Sequence, residues 1–283
     1  MSLTPTIVEE EKTLRTVTGG GWDDRVQVAE CDKLVRSFLI RSQNYVILHD
    51  TMLGPLCGAW LKAWAASLGG GRQLLIYNSH ADWDHYWGNQ VFSEPILGSS
   101  LSPERVRVSS GPQELARKRS EYPDHYAPVV PTPPTILFRE GGVIDGGDLT
   151  FHFLPTPGHR HDHLSLWIPE IATLFPADSV EDPFPLFDDA GGFQVIEQEK
   201  QTLETLLGLK PRWVMPCHAE PEAGDRLIRS NLDYVKNMLA RAAEFRGSLP
   251  GIQQAFPNPA PEAPTFYAEE HQRALKLAVD FAG

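Results

Sequence analysis

Four times along this chain an apolar, strand-forming run ends in a histidine or an acidic residue, and that recurrence limits the fold more than any bulk property. The densest case is Leu74-Leu75-Ile76-Tyr77, followed by S-H-A-D-W-D-H-Y-W-G-N from Ser79 to Asn89. His80, Asp82, Asp84 and His85 there fall within six positions. Leu149–Leu154 runs into P-T-P-G-H, ending at His159; Ala172–Phe175 runs into Pro176-Ala177-Asp178; Arg212–Met215 runs into Pro216-Cys217-His218. Short apolar runs of this length read as buried strands. Donors set just past strand ends lie at the mouth of a sheet, where several converge on one cation without helical spacing. One such burst is compatible with a solvated loop; four in order are not. Neutral imidazole suits zinc, iron, cobalt or nickel, and carboxylate tolerates the harder members of the series. The mixed set therefore points to a divalent transition metal rather than calcium or magnesium.

The ordered set H-x-D-x-D-H, P-G-H, A-D and P-C-H resembles the metallo-β-lactamase fold superfamily from about Val35 to His218. The family's usual first motif is H-x-H-x-D-H, so Asp82 stands where a histidine is expected. The resemblance implies an α/β fold, a four-layer αββα sandwich of two mixed β-sheets flanked by helices. It implies that His80, Asp82 and His159 hold one metal, that Asp84, His85 and His218 hold a second, and that Asp178 bridges them. Asp50, closing Tyr45-Val46-Ile47-Leu48, matches a family aspartate that supports the site from outside the ligand set. Such partners orient ligating imidazoles and tune their basicity.

Asp82 has a physical consequence. Two divalent ions carry roughly +4, and the usual two carboxylates leave about +2; a third lowers that to about +1. The site is then less electrophilic and favours a harder first cation. Two divalent ions are expected, zinc first, with iron or manganese as alternatives; flavodiiron proteins of this superfamily carry a glutamate at the same position and bind iron.

Composition fits a self-contained enzyme. The 283 residues suffice for a single domain over 1–283 with a sizeable core. No apolar stretch approaches the roughly 20 residues that span a bilayer, and the N-terminus lacks the basic start and apolar core of a secretory signal. Cys31, Cys57 and Cys217 are odd in number and widely spaced, which suits a reducing cytoplasm. The net charge of −12 repels nucleic acids and anionic membranes. The expected partner is a small-molecule substrate, with neither nucleic acid nor membrane, and a homodimer is the default assembly.

Periodicity predicts paired strands at 35–41 and 45–49. A helix follows from Leu53 to Leu68, closed by Gly69-Gly70-Gly71. Residues 1–30 read as polar and peripheral. A helical insertion at 101–134, helical around Pro112–Glu121, ends in a proline-rich connector; relatives place a flap over the pocket there, and a plain surface excursion is the alternative. Strands resume at 135–138, 149–154, 164–168 and 172–175. Helices are expected at 196–209, 223–245 and 265–281, the last two within a helical C-terminal segment, 222–283. Tyr86 and Trp87 read as packing the motif loop onto the core, and Gly88 as a tight helix entry.

The expected function is hydrolysis of a small ester, thioester, lactone, amide or phosphoester by a metal-bridging hydroxide, with Asp84 and Asp178 as catalytic ligands. Leaving-group protonation falls to a metal-bound water or to His161 or His163, which support the site. The alternative is a mononuclear iron thiol or persulfide dioxygenase of the same fold. His49 either lines the pocket or is structural, His125 and His271 read as surface residues, and Cys217 as a small buried one.

Overall fold

Short runs of Val, Ile, Leu and Phe between turn residues dominate the first half of the chain, a pattern that favours strands. The computed structural model describes residues 6–9, 12–18, 20–32, 34–108, 111–187, 194–245 and 248–282. Parts of the expected N-terminal, insertion and C-terminal segments (1–5, 10, 11, 19, 109–110, 246–247 and 283) therefore lie outside the described residues. The strands form two mixed sheets, one of eight strands and one of six, with flanking helices. The α/β class read from the sequence is the class found. Two compact units divide the chain: residues 1–155 with 164–173, and residues 156–163 with 174–283.

The first unit holds the eight-stranded sheet, its strands adjacent in chain order. They are β1 (Thr6–Glu9), β2 (Lys12–Val17), β3 (Val26–Cys31), β4 (Val35–Arg41), β5 (Tyr45–His49), β6 (Gln73–Tyr77), β7 (Ile96–Ser99) and β8 (Ile136–Phe138). Pairing is antiparallel from β1 to β5 and parallel from β5 to β8. Parallel neighbours need a crossover, and α1 (Pro55–Leu68) supplies the first. Proline at its first turn is preset for a helix. Cys57, Trp60, Leu61, Trp64 and Ala65 share its buried face, and Gly70, at φ 60°, takes the left-handed turn that ends it. The same unit contains an antiparallel trio, β9 (Gly142–Asp145), β10 (Thr150–Pro155) and β11 (Leu164–Ile168).

The N-terminal stretch is not peripheral. Leu14, Val26, Val28, Ala29 and Cys31 are at most 1% exposed. Charges between the apolar residues masked these strands in the sequence. Pairing accounts for the charges: buried Glu30 is held by Arg15 at 2.6 Å and Arg36 at 3.0 Å, its partners in register on the neighbouring strands.

Between β6 and β7 lies a one-turn helix, α2 (Trp83–Tyr86). The segment between β7 and β8 forms α3 (Ser102–Val108), α4 (Pro112–Glu121) and α5 (Pro123–Tyr126). Tyr86 and Trp87 pack with Val106, Leu115, Tyr126 and Val129 in one buried cluster. The motif loop thus does pack onto a core, and the inserted helices form part of that core.

The second unit contains all but the first residue of β12 (Thr173–Ala177), then β13 (Trp213–Pro216) and β14 (Glu222–Ala223), followed or interleaved by α6 (Gln194–Gly208), α7 (Arg226–Phe245), α8 (Leu249–Ala255) and α9 (Thr265–Ala282). His271, expected at the surface, is buried on α9. Its Nε2 donates to the Phe256 carbonyl at 3.0 Å, leaving Nδ1 to accept from the Tyr234 hydroxyl at 2.9 Å. Burial holds this imidazole below its ordinary pKa, although the carbonyl bond opposes the shift. No helix among the described residues is long and apolar enough to cross a membrane.

Gly88 is required by close approach. A Cβ there would lie 2.2 Å from the Thr51 carbonyl oxygen and 3.0 Å from Gly58 Cα. Gly88→Ala is expected to destabilise the protein by about 1–3 kcal/mol, read as a lowered denaturant midpoint at unchanged m-value.

Candidate metal centre

Parallel pairing of β5 with β6 sets His49 beside Tyr77, so the residues that follow each strand emerge at one sheet edge. The Asp50 N–H donates to the Tyr77 carbonyl at 2.7 Å. Fully buried Asp50 then accepts from the Ser79 N–H at 2.8 Å and from Ser79 Oγ at 2.7 Å. Its Oδ2 also lies 2.8 Å from His85 Nδ1 and 3.2 Å from His49 Nδ1. Burial alone would raise its pKa. The electrostatic attraction and hydrogen bonds of the His49 and His85 imidazoles outweigh that and hold the carboxyl far below the usual range.

These bonds orient two imidazoles. His85 gives its Nδ1 proton to Asp50, leaving Nε2 as the lone-pair donor. Ser79 Oγ gives its proton to Asp50 and accepts from His80 Nδ1 at 3.0 Å, which leaves His80 Nε2 in the same state. His80 and His85 are fully buried, with ring centroids 4.2 Å apart. Asp82 Oδ2 stands 3.6 Å from His80 Nε2, and Asp84 Oδ1 stands 3.7 Å from His85 Nε2.

In the second unit a parallel set forms. Asp178 Oδ2 lies 3.6 Å from His159 Nε2 and 3.3 Å from His218 Nε2. His159 Nδ1 faces Glu181 Oε1 at 3.8 Å, and His159, Asp178 and Glu181 each offer a ligand atom within 4.8 Å of the others. His163 is buried and accepts the Asp178 N–H at Nε2 (3.3 Å). Its Nδ1 therefore carries the proton, directed at Thr156 Oγ1 at 2.8 Å. His163 thus braces the backbone of Asp178. His161 is exposed on the turn before it.

The donors suit a transition metal. Two ligands bound at about 2.0–2.2 Å to one tetrahedral cation stand roughly 3.3–3.6 Å apart, close to the His–carboxylate separations found within each unit. Buried imidazoles with oriented Nε2 atoms, beside carboxylates, are a nitrogen and oxygen donor set for zinc, iron or manganese. The backbone is strained beside two of these groups. Asp50 (φ 62°) and Ala177 (φ 45°) occupy the left-handed region, at about 1–2 kcal/mol each.

Three site residues escaped the sequence reading. Glu181 follows Asp178 by three positions in A-D-S-V-E-D, a second buried carboxylate whose proximity was legible but whose partner was not. Glu199 lies in the charged run E-Q-E-K-Q, yet helical spacing sets it on the face of Val195, Ile196, Leu203 and Leu206. There it accepts the His159 N–H at 2.9 Å and fills the space a Cβ on Gly158 would need. Arg105, whose guanidinium donates to Asp82 Oδ1 at 2.6 Å, carried no sequence signal.

The family model for the metallo-beta-lactamase superfamily matches residues 33–218, and the chain belongs to that superfamily. It is 26% identical over 178 residues to acyl-coenzyme A thioesterase MBLAC2 of Gallus gallus, covering 59% of this chain and 64% of that protein. It is 27% identical over 145 residues to a hydroxyacylglutathione hydrolase of Rhodopseudomonas palustris, covering 51% and 53%. The chain thus spans less than two thirds of these curated relatives. Among solved structures, a metallo-beta-lactamase family protein from Thermus thermophilus shares the fold at TM-score 0.63 and 17% identity, over 87% of this chain and 88% of that one. The sec-alkylsulfatase Pisa1 from Pseudomonas sp. matches at TM-score 0.63 and 14% identity, over 94% and 49%.

Burial pushes the Glu199 carboxyl well above the usual range against the opposing His159 N–H bond, and the charge of Glu181 adds to the rise. With the folded value above the unfolded one, the unfolded chain loses its proton first. Stability attributable to Glu199 therefore falls as pH rises past about 4.3. Glu199→Gln keeps the acceptor and removes the titration, so its melting temperature is expected to drop less between pH 5 and pH 8 than that of the unmodified protein.

Proposed function

We propose that this protein is a metal-dependent thioester hydrolase, with His80, Asp82 and His159 as ligands of one divalent ion, Asp84, His85 and His218 of a second, and Asp178 shared. The observation that carries the reading is the orientation of buried imidazoles: Asp50 and Ser79 turn Nε2 of His85 and His80 outward as donors, beside carboxylates at ligand spacing. Membership of the superfamily over 33–218, a span that includes all seven residues, supports assigning them to one centre. When bound, divalent cations lower the pKa of a coordinated water from 15.7 to roughly 7 and polarise a carbonyl oxygen.

The bonding of His163 favours a substrate whose leaving group needs no acid. An alcohol or amine leaving group needs a proton as it departs, whereas a thiol, of pKa about 8.5, leaves as thiolate near neutral pH. His163 has both ring nitrogens committed to Thr156 and Asp178, so it serves as a brace and not as an acid. Asp84 and Asp178, 8% and 4% exposed, orient the attacking water. The relatives named as thioesterase and hydroxyacylglutathione hydrolase point the same way. Zinc is the proposed metal, two per chain.

Acyl-coenzyme A and acylglutathione thioesters, with release of thiol measured, test the activity. Elemental mass spectrometry on protein purified without chelator tests the metal. Expected are about two zinc ions per chain and thiol release that stops on chelation and returns with metal. His85→Ala and Asp178→Asn are expected to lower kcat/KM by at least about 100-fold while far-UV circular dichroism is unchanged. One iron per chain, with oxygen uptake on adding a thiol and no thioester cleavage, would replace this reading by the dioxygenase alternative.

A further inference from the structure

Asp82 is the position at which this chain departs from the usual family motif, and its surroundings are specific. It sits at the N-cap of α2 with extended backbone (φ −91°, ψ 150°), yet its side chain makes no capping hydrogen bond. Its Oδ1 instead accepts from the Arg105 guanidinium at 2.6 Å, while Oδ2 faces His80 Nε2 at 3.6 Å. The two side chains are only 10% and 15% exposed, so water screens the pair weakly. Arginine remains protonated throughout the working pH range and presents a rigid planar fork. Its neighbour Val106 is buried with Tyr86 and Trp87, which fixes α3 against the motif.

We infer that Arg105 is a positioning residue for the metal centre, engaging one oxygen of Asp82 and cancelling its charge so that this carboxylate presents a single, net-neutral donor where relatives have an imidazole. The inference rests on the proposed role of Asp82 as a ligand. Two effects follow. Two divalent ions with three carboxylates leave about +1, and the guanidinium returns the centre to about +2, the value for the usual H-x-H-x-D-H motif with its two carboxylates. A carboxylate held by one oxygen binds through the other, which suits a four-coordinate zinc; released, it can chelate through both, as harder cations of higher coordination number favour. Arg105 thereby offsets the bias toward a hard cation that Asp82 alone implies.

Metal selectivity tests this. Chelator-stripped protein is equilibrated with zinc and manganese together, and bound metal is read by elemental mass spectrometry. Arg105→Met, which keeps most of the aliphatic stem, is expected to reduce the preference for zinc over manganese by about 10-fold or more, and Arg105→Lys by less. Adding Asp82→His to Arg105→Met is expected to restore the preference. Asp82→His alone is expected to bind less metal, because an uncompensated guanidinium then faces the cation. Lost packing does not produce such a non-additive rescue. Circular dichroism establishes folding, and the lysine variant serves if the methionine variant does not fold. Unchanged selectivity in folded Arg105 variants, with one metal lost in Asp82→Ala, overturns the role of Arg105 and leaves the ligand assignment standing. Two metals retained in Asp82→Ala with unmodified selectivity overturns both.

Discussion

A carboxylate with no exposed surface, Asp50, is the constraint on which the motif loop depends. An ionised carboxyl removed from water is tolerated only when hydrogen bonds and oriented dipoles replace its hydration. Here two bonds come from Ser79, and imidazole nitrogens of His85 and His49 complete the shell. The same interactions that satisfy the anion decide which nitrogen of His80 and His85 faces outward. Stability and imidazole orientation are therefore one problem with one solution. The left-handed backbone at Asp50 (φ 62°) is held because this network over-determines it.

Buried or half-buried acidic groups recur through the molecule, and they are handled in more than one way. Glu30 is paired with two arginines across strands. Asp82 is paired with Arg105 from an inserted helix. Burial instead raises the pKa of the Glu199 carboxyl. Asp178 stands beside two imidazoles whose lone pairs suit a metal. A net charge of −12 thus coexists with buried carboxyls that are paired with arginines, raised in pKa by burial or set beside imidazoles.

Much of the fold was legible because long periodic or continuous apolar runs report their own structure. The strand at 164–168 has the predicted bounds, and α1, α4, α7 and α9 lie within a few residues of expectation. The N-terminal strands were missed because buried charges such as Glu30 look like surface in one dimension. His271 was missed for the same reason: its two hydrogen-bond partners, Tyr234 and Phe256, are distant in sequence. Among site residues, Asp50 was marked by its place at a strand end, and Glu199 was recoverable from helical spacing. Arg105 was not recoverable, since nothing local ties residue 105 to residue 82.

By itself the sequence determined the superfamily, the two-sheet α/β class and the positions of donors past strand ends, because these depend on residue type and short-range spacing. Tertiary structure alone decided which nitrogen of each imidazole is offered, that His163 braces Asp178, and that the charge of Asp82 meets a guanidinium. Those outcomes depend on contacts between residues up to tens of positions apart, and no local pattern encodes them.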